Sequence, residues 1–389
     1  MKQVISTEKI PIKMWLEDIE DGALIQAKNM ANLPFAYKHV ALMPDSHSGY
    51  GMPIGGVLAT KAVIIPNAVG VDIGCGMCAI KTSLNNISAD VLKNIMTGIR
   101  DLIPLGFDHH KKQQDIALMP SIESIVSNGI VERQFESARK QIGTLGGGNH
   151  FIEIQKGSDG NIWIMIHSGS RNIGLKVAEH YNQKAKMLNE RWFSDVEKSA
   201  NLAFLPIETQ EAKDYFIEMQ YCIDFALANR KLMMQNIVSV FVEFFKGDFK
   251  ELEFVNIAHN YARWENHYNS NVIVHRKGAT SARNGELGII PGSQGTKSYI
   301  VRGKGNPESF ESCSHGAGRK MGRGMAQRTL NLETEKGKLD EKGIIHAIRN
   351  KSDLDEAPGA YKDIDTVMAN QLDLVEIVVE LNPLAVIKG

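Results

Sequence analysis

The chain reads as an α+β protein, because strands and helices of unequal length succeed one another without regular alternation. Two observations carry this reading. Residues 36–82 break into short β-prone runs joined by glycine turns, whereas residues 174–246 are almost wholly helical in pattern. A third supports it: Leu374–Lys388 returns to β-prone residues around Asn382-Pro383.

In chain order, the first expected strands are His39–Met43, Val57–Thr60, Ala68–Asp72 and Met77–Thr82. Residues 88–102 form an amphipathic helix pattern, with Val91, Ile95 and Ile99 at four-residue spacing. A polar loop with His109-His110-Lys111-Lys112 follows, and then a second helical stretch over 121–141. Strands at 150–155 and 162–167 flank a Gly-Ser-Asp-Gly turn. The helical stretch 174–246 is interrupted near Leu205-Pro206, and its second part sets Met219, Cys222, Phe225 and Ala226 on one core-facing stripe. No Pro/Ser linker or repeat divides the 389 residues. The expected organisation is therefore one large domain over 1–389, with 174–246 as a mainly helical insertion and 271–330 as a glycine-rich basic segment.

Composition narrows the class. Hydrophobic content of 43% and charged content of 23% are those of a soluble globular protein, and a net charge of −1 gives no global attraction to nucleic acid or anionic lipid. Any nucleic-acid contact must therefore be local. Four cysteines (Cys75, Cys78, Cys222 and Cys313) make no disulfide framework, which fits a reducing cytoplasm. No apolar core of a signal peptide and no membrane-length apolar run is present, so a cytoplasmic location is expected.

Ligand-type side chains recur among glycines. Val69–Met77 places Asp72 and Cys75 three positions apart, and further stretches are PDSHSGYGMPIGG (44–56), GTLGGGNHFIE (143–153), MIHSGSRNIG (165–174) and SCSHGAGRKMGRG (312–324); NIAHNYA (256–262) offers His259 without glycine. Each histidine alone is more often structural, but imidazoles, a thiolate and a carboxylate together suit a borderline transition metal such as zinc or manganese. Cys75-Gly-Met-Cys78 also matches C-x-x-C, yet no second pair exists to complete a zinc knuckle. Residues 271–330 hold eleven glycines and ten Lys or Arg against three acids, a local charge of +7. Loops of that kind can cradle phosphate with backbone N–H groups and cations.

Taken together, VGVDIGCGM, GTLGGGNHFIEI, IMIHSGSRNIG, HRKGA, IIPGSQGTKSYIVRG, SCSHGAGR, EAPGAYKDID and the closing VIKG resemble the RtcB family of RNA-splicing ligases, over almost the whole chain and in the family's order. The resemblance implies joining of an RNA 3′-phosphate or 2′,3′-cyclic phosphate to a 5′-hydroxyl, with GTP and two manganese ions. Carried over by position, it implies Asp72, Cys75, His150, His167 and His259 as metal ligands, Cys75 bridging, and His315 as the nucleophile that carries GMP.

The implied nucleotide contacts are Asn149, His150, Phe151, Ile152, Glu153, His259, Asn260, Pro291, Gly292, Ser293, Gln294, Ser298, His315, Gly316, Ala317, Gly318 and Lys388. Lys388 would reach guanine if the chain end folds back into the site. The basic loops add Arg276, Lys277 and Arg319 as expected RNA contacts, with Arg171 and Lys176 beside them.

Ser46, Ser48, Tyr50, Gln294 and Cys78 depart from the commoner family residues and bear on how RNA is held; Asp45 and His47 remain as supporting groups. Three other readings stay open. One is an enzyme of this scaffold that caps or repairs nucleic-acid 3′-phosphates, another a metal-dependent phosphatase, and the third a metal-bound RNA-binding protein that has lost catalysis. A monomer is expected, and an archease or release-factor-like partner is left open.

Overall fold

The computed structural model describes residues 1–389 and contains two main sheets. One has six strands in the spatial order Gln3–Ile5, Ile12–Met14, Ala36–Tyr50, Met52–Thr60, Ser270–Lys277, Asn260–His267, with Ile12–Met14 parallel to its longer neighbour. The other has seven, in the order Glu251–Ala258, Gly76–Thr82, Ile162–Ser168, Phe151–Gly157, Val375–Lys388, Ser298–Gly303, Leu287–Ile290. Its neighbours are all antiparallel. The mixed architecture is the α+β class expected.

Period-two burial explains the seven-stranded sheet. Ile164 and Ile166 of the interior strand Ile162–Ser168 face one core with Ile152 and Ile154, while Trp163 and Met165 face another with Met77 and Ile300. The first core is closed by Leu92, Ile95 and Ile99 of the helix Ala89–Leu102 and by Met233, Ile237 and Phe241 of the helix Gln210–Phe245. The Ser88 hydroxyl caps the former helix by accepting from the Val91 N–H at 3.5 Å. Met219, Cys222 and Phe225 pack into a separate core with Val177 and Tyr181 of the helix Arg171–Arg191. The two long helices are parted near the expected Leu205-Pro206, which pairs as a short strand with Val63–Ile64.

Two local expectations fail. Ala68–Asp72 is not a strand: Pro66–Val69 is a single helical turn, with Pro66 in its first turn and Gly70 leaving it at φ +96°. Within 121–141 only Ile130–Ala138 is helical, because Asn128 (φ +55°) and Gly129 turn the chain immediately before it. The Glu218 carboxylate then accepts from the Val131 N–H at 2.8 Å and closes that helix start.

Two expected RNA cations are also corrected. Arg276 is wholly buried, forked onto Glu265 at 2.6 and 3.0 Å and hydrogen-bonded to Ser312 and the Phe310 carbonyl. Lys277 is buried as well, with its ammonium donating to the Tyr50 and Asn67 carbonyls at 2.6 and 3.3 Å. Their strand, Ser270–Lys277, lies inside the six-stranded sheet, so these charges hold the fold and do not face solvent.

The two sheets share a core, where Ala41, Val57 and Val274 of one meet Ile290, Tyr299 and Val301 of the other, and at one place a single residue links consecutive strands of the two. The chain runs through Glu251–Ala258 in the seven-stranded sheet and Asn260–His267 in the six-stranded one, with His259 between them. Gly76 starts the strand beside this crossing, and a Cβ there would overlap the Ile257 carbonyl oxygen. Gly76→Ala should therefore lower unfolding stability by about 2 kcal/mol or more, as forced overpacking against backbone does. Chemical denaturation checks this; an unchanged midpoint would mean that the strand shifts freely.

Candidate active site

The side chains of the centre converge on one end of the seven-stranded sheet. Cys75 immediately precedes the strand Gly76–Thr82, His150 precedes Phe151–Gly157, and His167 lies near the end of Ile162–Ser168. Register sets Met77 and Phe151 opposite His167, and Gly76 opposite Ala258. The His259 N–H donates to the Cys75 carbonyl at 2.8 Å, and the Asn260 side chain donates to the Asp72 carbonyl at 3.0 Å.

The resulting distances are short. Cys75 Sγ lies 3.5 Å from His150 Nε2 and 3.3 Å from His167 Nε2; His150 Nε2 lies 3.2 Å from Asp72 Oδ2, and His167 Nε2 lies 3.4 Å from His259 Nε2. Two triads follow, Asp72–Cys75–His150 and Cys75–His167–His259, each with its donor atoms within 4.8 Å of one another. Cys75 belongs to both. His167 Nδ1–H donates to the Asn149 carbonyl at 3.0 Å, which leaves its Nε2 lone pair facing the cluster.

The cluster's electrostatics ask for a cation. Burial, with the Asp72 carboxylate adding to it, pushes the Cys75 thiol well above its usual range. Burial and the neighbouring imidazoles hold His167 and His259 well below theirs. Burial alone would raise Asp72, but its contacts with His150 outweigh this and leave it lowered. Neutral imidazoles, a carboxylate and a thiol that needs a positive partner to ionise make a donor set that fits a transition-metal pair.

The helix Gln210–Phe245 holds the surrounding loops. Asn229 accepts from the Gly143 and Thr144 N–H groups at 2.7 and 3.1 Å and donates to the Gly169 carbonyl at 3.2 Å. Arg230, fully buried, donates to the Gly74 and Ser168 carbonyls at 3.0 and 2.8 Å. Neither residue was expected at the site. The available signal is a consecutive Asn-Arg pair within the core-facing part of a helix, where burial demands partners for both.

His315 follows the short strand Ser312–Ser314 and approaches from the six-stranded side. Its Nδ1–H donates to Asp45 Oδ2 at 2.6 Å, its backbone N–H donates to the same oxygen at 3.1 Å, and its ring centroid lies 4.8 Å from that of His259. Asp45 is wholly buried, and Gly318 (φ +72°) passes so close that a Cβ would overlap the Asp45 carbonyl.

A cleft opens over His315. Of the expected nucleotide contacts, Asn149, Phe151, Glu153, Pro291, Gly292, Ser293, Gln294, His315, Gly316, Ala317, Gly318 and Lys388 line it. Ile152 points into the apolar core instead. Ser298 and Asn260 act from behind: the Ser298 hydroxyl accepts from the Gly292 N–H at 3.2 Å, and Asn260 Oδ1 accepts from the Gly278 N–H at 2.8 Å. His150 and His259 belong to the cluster below. Glu356 and Tyr361, from EAPGAYKDID, also line the cleft, although only their motif had been singled out. Glu356 gathers Lys388 Nζ at 3.2 Å, Arg319 Nη1 at 3.1 Å and the Tyr361 hydroxyl at 2.5 Å. Arg319 is thereby committed to this wall. Arg171 lines a second cleft, on the Asp72 side, while Lys176 stands exposed farther along the same helix.

The chain matches the sequence profile of a family described as tRNA-splicing ligase RtcB, over residues 26–130 and 116–389. It belongs to the RtcB family. It is 38% identical to the RNA-splicing ligase RtcB1 of Escherichia coli ATCC 25922 and 37% identical to the RNA-splicing ligase RtcB of Escherichia coli K12. Both alignments cover 100% of this chain and 99% of the relative. The tRNA-splicing ligase RtcB of Nanoarchaeum equitans is 32% identical over 98% of this chain and 95% of its own length. No helix of this RtcB-family chain is long and apolar enough to cross a membrane.

The shared thiolate predicts an asymmetric response to substitution. Cys75→Ala should remove divalent-metal uptake by both triads, whereas His259→Ala and His150→Ala should each affect one, as read by metal content after dialysis. Full metal content in Cys75→Ala would show that the thiol is structural.

Proposed function

We propose that this protein is a GTP- and manganese-dependent RNA ligase that joins a 3′-phosphate or 2′,3′-cyclic phosphate end to a 5′-hydroxyl end. The observation that supports this best is the placement of His315: its Nδ1–H is held by a buried carboxylate, and its ring stands over the five-ligand cluster at the floor of a cleft. Asp45 fixes the tautomer in which Nε2 carries the lone pair. Nε2 attacks the α-phosphorus of GTP, the bond to pyrophosphate breaks, and a phosphoramidate to GMP forms. An RNA 3′-phosphate oxygen then attacks the same phosphorus; the N–P bond breaks and His315 is restored. The 5′-hydroxyl finally attacks the activated 3′-phosphate, releasing GMP and forming the new phosphodiester.

Asp72, Cys75, His150, His167 and His259 would hold two manganese ions, which would offset phosphate charge and align nucleophile with leaving group. Glu153 addresses the choice of base. Burial raises its carboxyl well above the usual range against the opposing Lys388, and its Oε1 has no hydrogen-bond partner although it is buried at the cleft wall. Guanine presents an N1–H and an amine on one edge and suits that oxygen; adenine lacks the N1–H.

Incubation with α-labelled GTP and manganese should leave acid-labile label on the wild type and none on His315→Ala. Asp45→Asn should keep its metal but take up label on the order of a hundredfold more slowly, since a misoriented imidazole costs at least that in comparable dyads. Label on His315→Ala would end the nucleophile assignment. In competition, Glu153→Ala, which removes the acceptor oxygen, should lose preference for GTP over ATP; an unchanged preference would place base selection elsewhere in the cleft.

A further inference from the structure

A third cleft encloses about 240 Å³ and shares no lining residue with the two clefts that reach the cluster. Ile257 and Ala258 line it before the His259 crossing, and Tyr261 and Ala262 line it after. The His259 ring itself is turned to the cluster, with its Nε2 against that of His167. The helix Gln210–Phe245 adds Ile223 and Leu227 as a further wall. This part of the lining is apolar.

The remainder carries charges that the chain leaves partly unspent. Arg263 is held in place: its Nε donates to Glu265 Oε1 at 2.6 Å, its Nη2 donates to the Ser281 hydroxyl at 3.2 Å, and its guanidinium lies 5.2 Å from the centre of the Tyr261 ring. Its Nη1 makes no hydrogen bond within the chain. Glu265 is buried and already forked by Arg276, so one carboxylate faces two guanidinium groups. The Ser281 hydroxyl donates to Glu286 Oε2 at 2.6 Å, and the Arg283 N–H donates to the same oxygen at 3.1 Å, which leaves Glu286 Oε1 free. Arg263 and Glu286 thus flank one hydroxyl without pairing with each other. Thr280, 2% exposed, lines the same cleft, and its hydroxyl has no partner. A buried hydroxyl left in that state is rare and calls for one.

We infer that this cleft binds a free α-amino acid with an apolar side chain. The carboxylate meets Arg263 Nη1 and the Thr280 hydroxyl, the ammonium meets Glu286 Oε1, and the side chain lies against Ile223, Leu227 and Ile257. The pair of opposite charges decides the class. A plain carboxylate would bring its charge up to Glu286, a plain amine would face Arg263, and a zwitterion satisfies both. A nucleotide phosphate would meet the same repulsion at Glu286, and the cleft is smaller than those that hold drug-sized ligands. The site does not depend on the ligase reading. Its occupant touches strands of both sheets, on the side of the crossing turned away from the metal ligands.

The test is calorimetric titration of the full chain with leucine, methionine and phenylalanine, one at a time. At least one of them should bind at a single site and raise the thermal unfolding midpoint. The N-acetyl derivative and the methyl ester of that amino acid each lack one charge, and each should bind about tenfold or more weakly. Glu286→Gln keeps an acceptor for Ser281 but loses the charge, and Thr280→Val keeps the shape but loses the hydroxyl; both should weaken binding about tenfold. Leu227→Trp, which fills the apolar part, should abolish it. The comparison of derivatives on the wild type needs no variant, and unfolding without amino acid shows whether each variant is folded. No heat with any of the three amino acids would overturn the site. Derivatives that bind as tightly as the parent, or full affinity in folded Glu286→Gln, Thr280→Val or Leu227→Trp, would overturn it too.

Discussion

The arrangement depends on a single-residue crossing. His259 is the point at which the chain leaves one sheet and enters the other, and its backbone is committed on both sides. Its N–H donates to the Cys75 carbonyl, and its carbonyl accepts from the Ala279 N–H at 3.2 Å. Next to it, the Asn260 carbonyl accepts from the Gly74 N–H at 2.8 Å. One short segment therefore registers the Cys75 turn, belonging to the seven-stranded sheet, against the strands that lead to His315. A shift of either sheet would therefore move both the Cys75 turn and His259.

Buried polar side chains supply the remaining constraint. Backbone turns that approach this closely cannot all satisfy their carbonyls and N–H groups by sheet pairing. Asn229 and Arg230 meet those needs from the helix behind, and Glu356 performs a similar service for three cationic or hydroxyl groups in front. Such networks stay ordered because leaving any member unpaired in a low-dielectric interior costs more than holding it in place. They also explain the unequal fate of the basic residues in 271–330: Arg276 and Lys277 are spent on the fold, and Arg319 on the cleft wall.

What the sequence made legible follows from local geometry. Asp72, Cys75, His150, His167 and His315 stand among glycines, and glycine clusters mark places where backbone approaches something closely, so these residues could be singled out one at a time. The long helices, and the strands around Ile152 and Ile164, were legible from periodicity. Other features were not. Ala68–Asp72 has β-prone residues, but Pro66 and Gly70 bend the backbone before a strand can form. Within 121–141 the dipeptide Asn128-Gly129 is a turn signal that the helical periodicity on either side obscured, and Asn128 adopts the left-handed conformation such a turn requires. A count of cations cannot say which face of a strand they occupy, so Arg276 could not be told from a surface charge. Asn229 and Arg230 were hidden because a helical stripe predicts burial, not the loops that a buried side chain will hold.

The wall formed by Asn149 and His150 has a consequence for how such a site can change. It divides the approaches to the cluster, so the groups lining one mouth are largely different from those lining the other. The separation is not complete: Asn149 and Arg323 line both mouths, and the Gly106 turn lies against Gly389, next to Lys388. A change of loop length at one mouth is therefore transmitted to residues that line the other.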